Sequence, residues 1–399
     1  MKARWVLALF LVAVALAGCG GGAGSSSTPA PTPTPTPAPS KVTATCVTQI
    51  QIGVVSANYT CTAGEAVAWN VDNAVLATIS SAGILTPNNT TTGTVTVTAT
   101  ATTGSDTPAT VKVQVVDWIL NHVLREGYAG WVSIVSGDGT WVSYLFYNNG
   151  PACGALAFAP DHLSFMCADG TAAGAIDIFN TDGTAAGTTQ VESIDLVALG
   201  GAENEDPLTP HFSPDGKTIV FMSGIGSGVM GTFTVDKGGK SPPVLVYSAP
   251  PSGYYNPNER FTPDGRQITT WNPATQTVWI LNADGTNPHQ LIPTTSYDVI
   301  FSPDMTRLYY NAPDGVYVAN PDGSNPANIA AYGSVAGCPG GYNILDVSPN
   351  GKSILLSLYT GDASQQCETG TYNLYTADAV TGANVREILP NAGVGSWGN

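Results

Sequence analysis

Polar and branched apolar residues alternate along short stretches of this chain, most cleanly in Thr94-Val-Thr-Val-Thr-Ala-Thr100. A period of two in β-branched residues predicts half-buried strands, and the Gly, Asn and Pro clusters between such stretches predict turns. The pattern changes character once. From Val42 to Val116 the strands and turns suit one small sandwich. From Asp117 onward the alternation is organised into repeats.

The repeat is marked by Phe158-Ala-Pro-Asp-His162, Phe212-Ser-Pro-Asp-Gly216, Phe261-Thr-Pro-Asp-Gly265, Phe301-Ser-Pro-Asp-Met305 and Val347-Ser-Pro-Asn-Gly351, spaced by roughly 40 to 55 residues. Each mark is a tight turn in chemical terms. Pro sets φ, Asp or Asn bonds back to the backbone, and Gly takes the left-handed conformation. The large apolar residue ahead of the turn anchors an inner strand, and an apolar strand such as Thr218-Ile-Val-Phe-Met222 follows it. A second mark, Thr181-Asp-Gly-Thr184, Ala283-Asp-Gly-Thr286 or Pro321-Asp-Gly-Ser324, lies later in the repeat. Each unit therefore reads as four strands, which is the blade of a β-propeller.

Five units are complete, and Trp397 falls where a sixth inner strand should carry its anchor. The stretches Trp118–Leu124, Gly130–Val135 and Trp141–Tyr147 offer that strand three partners. The expected fold class is thus all-β: a small Ig-like β-sandwich followed by a six-bladed β-propeller, its ring closed by strands from both ends of the propeller segment. Closure of this kind removes exposed sheet edges.

The N-terminus reads as an address. Lys2 and Arg4 precede the apolar run Trp5–Leu16, which is too short for a membrane span and right for a signal-peptide core. The run ends Leu16-Ala17-Gly18-Cys19, which resembles the lipobox of bacterial lipoproteins. That resemblance implies a signal peptide over 1–18, lipidation of Cys19 and a membrane anchor. Gly20 in place of Asp resembles an outer-membrane destination in a Gram-negative host. Residues 19–41 are a Gly/Ser and Thr-Pro linker, semi-extended over its Pro run. Within 42–116, Trp69-Asn-Val-Asp-Asn-Ala-Val-Leu-Ala77, Gly83-Ile-Leu-Thr86 and Val95-Thr-Val-Thr-Ala-Thr100 resemble a bacterial Ig-like domain of group 2, implying a spacer or adhesive module.

Composition narrows the partners. Lys and Arg number 13 against 29 Asp and Glu, a net charge of −16, which repels phosphate backbones and disfavours nucleic acid. Only 11% of residues are charged while 43% are hydrophobic, so the chain can build a core. Six cysteines remain beside Cys19, and their proximity suggests the pairs Cys46/Cys61, Cys153/Cys167 and Cys338/Cys367 in an oxidising compartment. A hairpin turning at Pro160 would set Cys153 opposite Cys167. No Cys/His spacing of a metal site accompanies them.

The Pro-Asp repeats over residues 118–399 resemble the WD40-like repeats of TolB-type propellers, components of the Tol–Pal envelope system, and the propellers of prolyl oligopeptidases. The TolB family carries an α/β domain ahead of its propeller, where this chain has the Ig-like segment. The resemblance implies a propeller that binds protein. No Gly-x-Ser-x-Gly elbow is present, since Gly224-Ile-Gly-Ser-Gly228 misplaces the Ser. No His-Glu-x-x-His, P-loop or Rossmann fingerprint occurs either. No cofactor or catalytic residue is expected. His162 and His289 read as solvated turn residues, His122 as a strand residue, and His211 as a residue that could face the channel. The repeated Asp161, Asp215, Asp264 and Asp304 read as turn-formers.

The likeliest binding surface is the rim formed by the loops entering each inner strand. It carries Glu203, Asn204, Glu205, Asp206 and His211; then Tyr254, Tyr255, Asn256, Asn258, Glu259 and Arg260; then Tyr297 and Asp298; then Tyr342 and Asn343. Tyr and Asn suit recognition of protein or glycan. The expectation is a non-catalytic envelope lipoprotein whose propeller docks a protein or peptide, with the Ig-like domain as stalk. Two alternatives stand beside it. One is an enzyme or binder acting on polysaccharide, for which Glu205/Glu259 is the nameable acid pair. The other is an adhesin that makes contact through the Ig-like domain.

Overall fold

The computed structural model describes residues 40–397, apart from 53–58, 89–91, 104–105, 126–127, 147–152, 170–173, 200–207, 225–229, 251–258, 332, 336–337 and 362–369. Cys19 and Cys367 lie outside the described residues, so the lipobox and the third cysteine pair do too.

From residue 118 onward the described residues form six four-stranded antiparallel sheets, here sheets I to VI, and a two-stranded one at residues 333–340. Sheet II is Cys153–Phe158, Ser164–Asp169, Ala175–Asn180 and Thr189–Asp195, in chain order from inner to outer strand. Sheet III repeats this with Leu208–Phe212, Thr218–Gly224, Met230–Asp236 and Val244–Ser248. Sheets IV, V and VI begin with the inner strands Arg260–Phe261, Tyr297–Phe301 and Tyr342–Val347. Sheet I differs, because its inner strand Ala392–Ser396 comes from the other end of the segment. It pairs with Trp118–Arg125, which is followed outward by Tyr128–Ser136 and Val142–Phe146.

Packing between sheets follows one rule. Each anchor residue packs into a cluster shared with the preceding sheet, buried in five sheets and partly buried in sheet IV, where Phe261 meets Val220 of sheet III. Phe212 packs with Ala157, Met166 and Ile176 of sheet II, and Val347 packs with Ile300, Tyr309 and Val316 of sheet V. Trp397, 2% exposed, packs with Leu355, Leu374 and Ile388 of sheet VI and with Ile119 and Val135 of sheet I. The Asp-Gly turns make a second inter-sheet contact. A Cβ on Gly285 would lie 2.6 Å from the Val246 carbonyl oxygen on the outer strand of sheet III.

The Pro-Asp turns form as their chemistry predicts. Asp304 Oδ1 accepts hydrogen bonds from Ser302 Oγ at 2.6 Å and from Thr306 N at 3.0 Å. These donors hold its carboxyl down at about 2. Gly216, Gly265 and Gly351 take φ of 67, 71 and 68°, and the side chains of His162 and Met305 occupy the same slot at 56 and 57°.

Residues 42–116 form a four-stranded sheet with two small two-stranded sheets. Its order is Gln49–Gln51, Ala109–Val116, Gly93–Ala101 and Val67–Val71, with the first pair parallel. Cys46 and Cys61 form a disulfide beside its core, which includes Ile50, Tyr59 and Leu85. This segment is docked on the repeats through buried amides. Gln51, 1% exposed, accepts the Trp118 N–H at Oε1 (2.9 Å), and Gln49 Nε2 donates to the Thr181 carbonyl at 3.3 Å. Leu163 of sheet II packs against the same core. Ser40–Asn399 is one compact unit.

Candidate functional site

Inner strands run toward the Pro-Asp turns, so the residue just ahead of each anchor occupies an equivalent place in every sheet. These residues are Ala157, His211, Arg260, Ile300, Asp346 and Ser396 in sheets II to VI and I. Three of them meet directly. Arg260 Nη1 lies 3.6 Å from Asp346 Oδ1, linking sheets IV and VI past sheet V. Ser396 Oγ donates to Asp346 Oδ2 at 3.1 Å. The side chain of Asp346 is 0% exposed and that of Arg260 16%, so the pair is shielded from water and its attraction is little screened.

β-Bulges set up this meeting. The register slips between Leu208 and His211, Tyr297 and Val299, Ile344 and Asp346, and Ala392 and Val394. A bulge leaves one residue out of the ladder and turns its groups elsewhere. At Leu345 the released carbonyl accepts Arg260 Nη2 at 2.9 Å. At Thr209, φ 43°, the carbonyl accepts His211 Nδ1–H at 3.0 Å. At Asp298, φ 40°, Oδ2 accepts Asn311 Nδ2–H at 2.9 Å. Asn311 also spans to sheet VI, where its Oδ1 accepts the Ile344 N–H at 2.8 Å.

His162 corrects the sequence expectation. His162 is 1% exposed rather than solvated, and its Nε2–H donates to the Trp397 carbonyl. Burial pushes its pKa down to about 4, against the pull of the Trp397 carbonyl and of Asp161 and Asp346. His211 is half-buried. Its pKa is held well below the ordinary value by burial and by the Arg260 charge. His289 is exposed. Of His122 the strand position alone is described.

The expected rim divides in three. Glu203, Asn204, Glu205, Asp206, Tyr254, Tyr255, Asn256 and Asn258 lie outside the described residues. Tyr297, Asp298, Tyr342 and Asn343 stand half-buried at the strand starts, the mouth opposite the Pro-Asp turns. Tyr297 lies near Trp271 (ring centroids 6.5 Å apart), and Tyr342 meets Tyr375 edge-on at 5.5 Å. Glu259 and Arg260 are not exposed loop residues. Glu259 is 0% exposed, and its Oε1 accepts Thr270 Oγ1–H at 3.2 Å, because the chain turns inward here to enter the inner strand. Cys153 and Cys167 form a disulfide, but not across a regular hairpin. The bulge between Cys153 and Ala155 sets Cys153 against Asp169, and Leu156 against Cys167.

Asp346 escaped the sequence reading. The signal was available in the residue ahead of each anchor, where His211, Arg260 and Asp346 stand in the place that Ala157 and Ile300 take in other repeats. Beneath the mouth, His211, Arg260, Thr269 and Val299 border a cavity of about 20 Å³, room for one water. An open groove of about 610 Å³ lies on the other face, lined by Asp215, Thr234, Asp264 and Ala283.

A ring of inward-running strands with one anchor per sheet defines a β-propeller. Among solved structures the chain is similar to TolB from Acinetobacter baumannii, at 14% identity and a TM-score of 0.51, covering 77% of this chain and 80% of that one. It also matches the periplasmic gluconolactonase of Pseudomonas aeruginosa (16%, TM-score 0.45, 70% and 97% covered). A third match is an oligogalacturonate lyase of Vibrio parahaemolyticus (12%, TM-score 0.43, 75% and 85% covered). No protein-family model and no curated protein matches the chain. The fold is a β-propeller, and its likeness to TolB is one of fold.

Proposed function

We propose that this chain is a non-catalytic lipoprotein of the cell envelope whose six-bladed propeller binds a protein or peptide at the mouth opposite the Pro-Asp turns. In this reading Cys19 carries the lipid, 19–41 is the tether, 42–116 is an Ig-like stalk and 117–399 is the binding domain. The observation that carries it is the contrast between mouth and channel. At the mouth, half-buried Tyr297, Tyr342 and Asn343 offer rings and an amide. Below them, Arg260 and Asp346 satisfy each other across the axis. Groups so engaged favour a surface for docking over a channel for chemistry. The buried amides of Gln49 and Gln51 attach the stalk on the Pro-Asp side, at Thr181 and Trp118, which leaves the mouth uncovered by these contacts.

The reading in which polysaccharide is cleaved needs a free acid pair, and the carboxylate of Glu259 is buried against Thr270. The test is capture from solubilised envelope by residues 40–399, with cross-linking and mass spectrometry. One partner should be recovered by the native protein and lost with Tyr297→Ala/Tyr342→Ala. Recovery undiminished by that double substitution refutes the mouth as the site, and retention on a polysaccharide array instead favours the glycan reading.

A further inference from the structure

The strand that closes the ring is poorly equipped to hold itself. Ala392–Ser396 reads Ala-Gly-Val-Gly-Ser, so it brings little apolar area, and a bulge between Ala392 and Val394 interrupts its ladder. It pairs with residues 120–123 of the longer strand Trp118–Arg125. What holds its end is a carboxylate from another sheet. Asp346 Oδ2 accepts the Trp397 N–H at 2.8 Å and Ser396 Oγ–H at 3.1 Å. Oδ1 accepts the Val347 N–H at 2.8 Å and faces Arg260 Nη1 at 3.6 Å.

We propose that Asp346 is a charge latch on the closing strand and that Arg260, two sheets away on sheet IV, keeps the latch engaged. A carboxylate with no exposed surface is costly to bury unless a counter-charge and donors surround it. Arg260 is the cation in contact with Asp346, and it is fixed in place by the Leu345 carbonyl that the bulge releases. The closing strand is thus a strap fastened from across the channel. Its release would bare the backbone N–H and C=O groups of residues 120–123, an open strand edge of the kind other chains pair with. His162 grips the same strap from sheet II through the Trp397 carbonyl, so the strap end lies between two sheets that are not its own.

Hydrogen exchange on the full chain tests this. Arg260→Gln removes the charge and keeps a donor for the Leu345 carbonyl. Asp346→Asn keeps the shape and one acceptor. Amide exchange over 392–397 should rise at least tenfold in either variant, while Met230–Asp236 of sheet III is unchanged, and the double variant should be no faster than the worse single. Ser396→Ala, which deletes one donor to Oδ2 and disturbs little else, should give a smaller rise confined to the same segment. The latch is refuted if 392–397 exchange as in the native chain in Arg260→Gln, or if exchange rises equally in all six sheets.

Discussion

His162 makes stability depend on pH between its ordinary pKa of 6.5 and about 4. Its imidazole is 1% exposed and serves as a neutral donor to the Trp397 carbonyl, with a pKa lowered from 6.5 to about 4. In the unfolded chain the ring takes up its proton near 6.5, whereas in the folded chain it resists protonation down to about 4. Between those values the unfolded state binds the extra proton, so folding is favoured fully above 6.5 and progressively less as pH falls toward 4. The full shift corresponds to about 3 kcal/mol, most of which is lost by about pH 4.5. The informative perturbation is His162→Gly. It restores the residue that the repeat uses at 216, 265 and 351, suits the φ of 56° and removes the titrating group. Urea unfolding of both proteins from about pH 7.5 to about pH 4.5 isolates the effect as a difference. Contributions from His211, from the turn carboxylates and from Asp117, which burial raises, are common to both and cancel. Native protein should lose about 2 to 3 kcal/mol more than the variant. Parallel curves would refute the reasoning, since they would mean that the folded imidazole is open to protons.

Trp397→Ala should cost about 3–5 kcal/mol by urea unfolding, because the ring is 2% exposed in a core shared by both ends of the repeats. Gly285→Ala should destabilise more than Gly216→Ala. Both take positive φ, but a Cβ at 285 meets a backbone carbonyl at 2.6 Å while one at 216 meets Pro160 at 3.7 Å. Backbone strain alone, at about 1 kcal/mol, should set the smaller value, and equal melting shifts would argue against the close approach.

What the sequence determined by itself was local. The Pro-Asp and Asp-Gly turns form from the residues that carry them, since Ser302, Asp304 and Thr306 bond among themselves within five positions. Strand periodicity likewise needs neighbours in the chain alone. The anchor position of Trp397 was legible for a related reason: repetition makes one unit predict the next. The axial residues were half legible. Their position ahead of the anchor could be read, and His211 and Arg260 were named, but as parts of an exposed rim. That Arg260 meets Asp346, 86 positions later, follows from ring geometry and from bulges that a period of two does not announce. His162 was misread because a turn residue is ordinarily wet, and here the end of the closing strand covers it. Gln49 and Gln51 gave no signal, for a buried amide and an exposed one look alike until the other surface is known. Turns and strands depend on short-range sterics and hydrogen bonds, which the sequence carries directly. Which polar groups lose their water depends on long-range packing, and only the tertiary structure decided that.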